Sequence, residues 1–347
     1  MALASGMLYL RLPLSHSLGR LMRDLGKEGI AFRRHDGLLT MDVAAGDLPG
    51  LGERLGAMLS STERRDTRVV FQRTGTALKL ANCFEAMSID QLLARLGARW
   101  LIQLMREERL TSLFQPIVPC AAPGEVFAYE CLLRGLEVDG ELIGPGRIFD
   151  AARSAELLFQ VDVLGRLTAI REAAAAGLAA RDSKIFINFT PTSIYDPSFC
   201  LQSTARAIAE VGLVPSQIVF EVIESDYVTD LPHLCRILDF YRAEGFGVAL
   251  DDLGAGYSSL NMLSELRPDY VKLDMGLLRN VHQDPVRAAV ASKILELARE
   301  LGIRSIGEGI ESIEEFDWLA SHGADFAQGY LFARPGNPPP PSAPLQR

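Results

Sequence analysis

From residue 111 onward, short apolar runs alternate with longer stretches whose apolar positions recur at helical spacing. Candidate strands cover residues 113–118, 126–133, 184–189, 218–222, 247–250, 270–273, 304–306 and 327–332. Helical patterns over 161–175, 204–211, 232–243, 285–301 and 313–322 separate most of them. Repeated strand–helix units over roughly 225 residues match an α/β fold of the TIM-like (β/α)8 type in both number and length. Only a short polar connection joins the first two strands. One of the pair is therefore expected to run antiparallel and make the barrel irregular.

The first 85 residues have a different rhythm. Strand-like runs at 7–12, 30–34, 38–43 and 68–72 are interleaved with amphipathic stretches at Ser15–Lys27 and 48–59. The order β-α-β-β-α-β predicts a small α+β module of ferredoxin-like type. Asp36-Gly37 between two strand-like runs is a strong hairpin signal. This module shows no glycine-rich phosphate loop and no carboxylate cluster. Ser88 followed by Gln91 opens a capping box, so 86–110 read as one or two linking helices before a barrel at 111–335. Residues 336–347 are proline-rich and expected to be disordered.

Composition narrows the classes of function. With 48% hydrophobic and 23% charged residues the chain reads as a soluble globular protein, and no apolar run approaches the length needed to cross a bilayer. The opening residues read as a first strand rather than a signal peptide. A formal charge of −9 with no basic stripe argues against binding a nucleic-acid polymer, though not against a small phosphate ligand held through cations. The five cysteines are scattered and unpaired in pattern, as expected for reduced thiols in the cytoplasm. His35-Asp36 has no partner histidines at ligand spacing and reads as a turn.

Chemistry gathers at the expected C-terminal strand ends, where barrel enzymes place it. Asp251 and Asp252 close one strand, ahead of Gly254 and Gly256. Neighbouring side chains on a strand point to opposite faces. These two can converge only where the backbone turns, and the glycines permit a turn. Glu130, Asn188, Glu221, Glu224, Lys272, Glu308, Glu311 and Gln328 stand at the ends of other strands. A buried carboxylate, amide or ammonium in an apolar strand is costly unless paired. Each alone has a structural explanation, but ten polar groups at one rim do not. An oxygen-rich set without His or Cys favours Mg²⁺ or Mn²⁺ over zinc.

In the order FQPIV, ECLLR, NFT, EVIE, DDLGAGYSSL, VKLD, GEGIE and QGYLFARP, the chain from about residue 111 to 335 resembles the EAL domain of bacterial cyclic di-GMP phosphodiesterases. The resemblance implies hydrolysis of cyclic di-GMP to linear pGpG at a two-metal site. By it, Glu130, Asn188, Glu221 and Asp251 would hold one ion, with Asp251 bridging to a second ion that Asp252 also holds. Lys272 would orient or activate the attacking water, with Glu308 in the same network. Arg134, Leu132 and Gln328 would face the substrate, and Glu224 and Glu311 would anchor loops. Calcium is expected to inhibit. A homodimer through the barrel is a further expectation of the family. Cys131, Ile223, Leu253, Ala255 and Gly307 depart from the family pattern beside these positions, not at them. The competing reading is a non-hydrolysing cyclic di-GMP receptor that signals through residues 1–110. Retention of every expected ligand and of Lys272 favours the enzyme.

Overall fold

The structure is a computed structural model that describes residues 4–76, 79–181, 183–190, 197–223, 230–254 and 259–343. The chain forms two compact units, Met1–Arg106 with Phe149–Leu157, and Glu107–Ile148 with Leu158–Arg347.

In the first unit, β1 (Gly6–Arg11), α1 (Ser15–Lys27), β2 (Arg33–His35), β3 (Leu38–Val43), α2 (Leu48–Met58), α3 (Ser61–Asp66) and β4 (Arg68–Arg73) follow one another. They precede α4 (Leu80–Phe84), β5 (Met87–Ser88), α5 (Ile89–Gly97) and α6 (Arg99–Arg106). The antiparallel sheet runs β2-β3-β1-β4-β5, the ferredoxin-like order with β5 added at one edge. Alternation places Leu8, Leu10, Leu39, Met41 and Val69 in a core with Leu21, Leu25, Leu51 and Leu55 of the helices. The β2–β3 hairpin turns at Asp36 and Gly37, with φ of 47° and 78°, the left-handed pair such a tight turn requires.

The one or two helices expected at 86–110 are present as α5 and α6, and both lie within this unit. Gly52 and Gly56 keep one face of α2 bare, and Leu93 of α5 fills it so closely that a Cβ on Gly56 would lie 2.8 Å from its Cδ1.

The second unit holds β6 (Leu110–Pro119), β7 (Ala128–Leu136), the two-residue β8 (Leu142–Ile143), the start of α7 (Pro145–Ala155), and α8 (Leu158–Ala175). Then come β9 (Lys184–Phe189), α9 (Pro197–Glu210), β10 (Ile218–Ile223), α10 (Leu231–Ala243), β11 (Gly247–Leu253) and α11 (Ser259–Leu266). β12 (Tyr270–Leu273), α12 (Met275–Leu278), α13 (Pro285–Glu300), β13 (Arg304–Gly307), α14 (Ile313–Ser321) and β14 (Phe326–Gln328) complete it. The sheet closes in the order β6-β14-β13-β12-β11-β10-β9-β7 and back to β6, with β8 on the outer edge of β7. β6 is antiparallel to both its neighbours, as the short connection to β7 requires.

Within the proline-rich tail, expected to be disordered, the described residues 336–343 have partners. Gly336 pairs with Phe114, Pro340 O accepts from Tyr129 Oη at 3.0 Å, and Ala343 N donates to Phe332 O at 2.8 Å. Residues 336–343 thus have fixed partners on the barrel, because a proline carbonyl still accepts even though its nitrogen cannot donate.

Candidate active site

One apolar residue from each barrel strand fills the bottom of the bore: Ile117, Ala128, Phe186, Val219, Ala249, Tyr270, Ile306 and Phe326. Two residues further along each parallel strand, on the same face, the next layer is polar. It consists of Glu130, Asn188, Glu221, Asp251, Lys272, Glu308 and Gln328. On antiparallel β6 the matching residue comes two positions earlier, so Gln115 joins this layer opposite Glu130. Sequence reading missed Gln115 because its signal is reversed: the polar residue precedes the apolar run instead of ending it.

Lys272 stands at the centre of the polar layer. Its Nζ lies 3.3 Å from Glu130 Oε2, 2.9 Å from Glu221 Oε1, 3.1 Å from Asp251 Oδ1 and 2.7 Å from Glu308 Oε1. Burial alone would strip the proton from this ammonium, but Asp251, Glu130, Glu221 and Glu308 hold its pKa well above the usual lysine value. One cation cannot neutralise four carboxylates. Burial accordingly pushes the carboxyls of Glu221, Glu308 and Asp251 upward, against the attraction of Lys272. Glu130 goes the other way. It is equally buried, yet Lys272, the Gln328 amide at 2.7 Å and the Asn188 amide at 3.2 Å keep it ionised, below the usual carboxylate value.

The acidic pair is arranged differently from the expectation. The reversal lies at Asp252 itself, whose φ of 57° is left-handed, and not first at the glycines. The β11–β12 register shifts between Leu250 and Leu253, a bulge at the strand's end. Asp252 N bonds back to Asp251 Oδ1 at 3.0 Å, and the turn swings its carboxylate onto the same side. Burial, followed by repulsion from Asp251, raises the Asp252 carboxyl to about 6. Strain of this kind at a non-glycine residue persists only where its surroundings enforce it.

Leu132 and Arg134 follow Glu130 at two-residue steps on the same face of β7, rising toward the mouth. Arg134 is half-buried and donates to Leu133 O at 2.8 Å. Glu311 is not in the polar layer: it pairs with Arg279 at 2.8 Å on a half-exposed surface. The buried carboxylate that holds this loop is Glu315, which accepts from Asn280 N at 2.9 Å, Glu311 N at 3.0 Å and Ser312 N at 3.3 Å. Glu315 was hidden in the sequence as the third residue of a helix-capping box. Glu224 lies outside the described residues.

The donor set fits divalent cations. Asp251, Asp252 and Glu308 each offer an oxygen within 4.8 Å of the others'. Among the described residues the Lys272 ammonium, 2.9 Å from Oε1, is the one cation paired with fully buried Glu221. Buried carboxylate oxygens that share a single ammonium form a group short of positive charge, which suits hard cations that prefer carboxylate and amide ligands.

Fold, register and polar layer together define an irregular (β/α)8 barrel with its carboxylates gathered at the C-terminal rim. The EAL domain family model matches residues 98–335, and the chain belongs to that family. It is 31% identical over 230 residues to the probable cyclic di-GMP phosphodiesterase PdeG of Escherichia coli K12, covering 64% of this chain and 44% of that one. The chain spans about half or less of the length of such curated relatives. Among solved structures, a standalone EAL protein from Vibrio cholerae O395 bound to c-di-GMP is 38% identical, with a TM-score of 0.60. That match covers 67% of this chain and 94% of the other. The calcium/cy-diGMP complex of Klebsiella pneumoniae BlrP1 is 25% identical, with a TM-score of 0.58, over 96% of each chain. Among the described residues no helix is long and apolar enough to cross a membrane.

Proposed function

We propose that this protein hydrolyses cyclic di-GMP to linear pGpG at the barrel mouth, with two Mg²⁺ or Mn²⁺ ions. The observation that carries this reading is the convergence of Glu130, Glu221, Asp251 and Glu308 on one buried ammonium, with Asn188 and Asp252 at the same rim. Glu130, Asn188, Glu221 and Asp251 would hold one ion, and Asp251 and Asp252 the other. The ions supply, when bound, a nucleophile at neutral pH and countercharge for the pentacoordinate phosphorus.

The remaining work falls to the chain's own groups. Lys272, held protonated by its four neighbours, donates to the attacking water and fixes its direction rather than taking its proton. Glu308, whose proton affinity burial raises, receives that proton through the same network. Arg134 and Leu132 stand above Glu130, where a ligand phosphate and its sugar would pass. Solved complexes of c-di-GMP with EAL proteins of the same barrel fold support the choice of ligand.

Incubating the full-length protein with cyclic di-GMP and Mn²⁺ tests this directly. Accumulation of pGpG is the expected result. Saturable binding of cyclic di-GMP without product would sink the enzyme and leave the receptor.

A further inference from the structure

A buried ion pair lies just outside the polar layer. Asp162 and Arg166, one turn apart on α8, are 6% and 1% exposed, and Arg166 Nη2 is 3.0 Å from Asp162 Oδ2. This is the one ion pair Arg166 makes among the described residues, and none of its guanidinium nitrogens has a directed hydrogen bond. An ion pair buried this deeply is a poor source of stability, since removing two charges from water costs about as much as their attraction returns. A packed methionine and leucine would serve the core at least as well. The arginine therefore calls for another explanation.

The other carboxylate oxygen supplies one. Asp162 Oδ1 accepts from Thr190 N at 2.7 Å. The β9 ladder ends at Phe189, opposite Val222 of β10, so Thr190 offers the first amide beyond it. Two residues earlier, on the same face of the strand, Asn188 donates to Glu130 Oε1 at 3.2 Å. Asp162 thus continues, from a helix, the restraint that the sheet stops giving one residue past Asn188. The neighbouring guanidinium, 3.0 Å from Oδ2, holds the second oxygen of that carboxylate.

We propose that Asp162, held by Arg166, is a positioning residue: it fixes the end of β9 so that Asn188 presents its amide oxygen to a divalent ion while its nitrogen holds Glu130. This inference rests on the reading of the barrel mouth as a metal site. Partners of metal ligands outside the coordination sphere typically change metal affinity by about tenfold to hundredfold when removed.

The test is calorimetric titration of Mn²⁺ into full-length protein without nucleotide, with thermal midpoints measured in parallel. Combining Asp162→Ala with Arg166→Met removes both charges, so no unpaired ion is left buried. Its Mn²⁺ affinity is expected to fall about tenfold or more. Asp162→Asn with Arg166→Met keeps an acceptor for Thr190 N and is expected to bind within about threefold of wild type. Glu172→Ala is the control: this carboxylate on the same helix accepts from Ser112 N at 2.7 Å, so its loss perturbs the fold without weakening Mn²⁺ binding. Wild-type affinity in the Ala/Met variant, or equal weakening in the Asn/Met variant, overturns the positioning role and leaves the metal site standing. Absence of Mn²⁺ binding in the wild type overturns both. Should the Ala/Met variant not fold, hydrogen exchange of the Thr190 amide in the wild type decides. Protection matching the β9 ladder supports the clamp, and exchange at the rate of an open loop refutes it.

Discussion

Gln328 Nε2 donates to Glu130 Oε2 at 2.7 Å, although 198 positions separate the two residues and β6 lies between their strands. The same amide reaches Gln115 Oε1 on that intervening strand at 3.3 Å. Three strands at the seam where the barrel closes are thereby tied into one polar layer. Glu130, the first carboxylate of that layer, is oriented from both sides by amides. Gln328 is expected beside the substrate and as a support of the site, and its amide nitrogen is held by Glu130.

Replacing Gln328 with leucine removes one of the donors that keep Glu130 ionised. Affinity for Mn²⁺ should fall about tenfold to hundredfold, by the usual weight of such partners. The KM for cyclic di-GMP should change less than kcat. Calorimetry and turnover on the same preparation separate the two. A KM effect alone would return Gln328 to the substrate.

Lys272→Met keeps the length of the side chain and removes its charge. Turnover should drop about a hundredfold, the usual cost of misplacing a reacting group by about 1 Å, because nothing then orients the attacking water. Four carboxylates would also lose their common partner. Removing one member of a buried ionic group costs about 3–5 kcal/mol, so the variant should melt well below wild type in chelator. Mn²⁺ should restore much of that loss. A thermal midpoint indifferent to Mn²⁺ would contradict the arrangement.

Glu130→Ala should leave no measurable pGpG production, because it removes an expected metal ligand together with the acceptor of the Asn188 and Gln328 amides. Preserved turnover would mean that the chemistry lies elsewhere. In wild type, Ca²⁺ in place of Mg²⁺ should be bound but support slow turnover, since its longer and looser coordination misplaces the attacking oxygen. Equal rates with the two ions would refute the geometric reasoning.

Acid should loosen the N-terminal unit through Glu63. The Ser60 amide, helped by the hydroxyls of Ser17 and Ser60 and by Arg20, lowers its carboxyl from 4.5 to about 2. A depressed carboxylate contributes stability above its unfolded pKa, and that contribution disappears as pH falls through the folded value. Glu63→Gln should therefore flatten the dependence of stability on pH between about 4.5 and 2, followed by denaturant unfolding at each pH. An unchanged slope would show that the capping box adds nothing there.

The barrel was legible because its strands are buried on both faces and its helices on one, so periodicity changes sharply from element to element. The polar layer was legible for a related reason. Carboxylates and a lysine inside apolar strands are too costly to leave without partners, which makes Glu130, Glu221, Asp251 and Lys272 conspicuous. Gln115 was not conspicuous, because strand direction reverses the side from which a polar neighbour signals. Nothing in the sequence singles out Glu315, the third residue of a capping box, or Asp162 and Arg166, spaced i, i+4 as many surface pairs on helices are. Their burial comes from what packs over them. The tail read as disordered because prolines lack donors, while its carbonyls found donors 211 positions away, as Pro340 did with Tyr129.

Spacing along the chain thus determined the number and order of the elements, and which side chains are too polar for the strands they occupy. It also placed the acidic dipeptide at a strand end. Only the closed sheet decided that those side chains share one level. That level is set by register between strands far apart in sequence, by the reversed direction of β6 and by the left-handed turn at Asp252. Local preferences fix a residue's face and its element, but closure of the barrel fixes its height, and a metal site requires all of its oxygens at the same height.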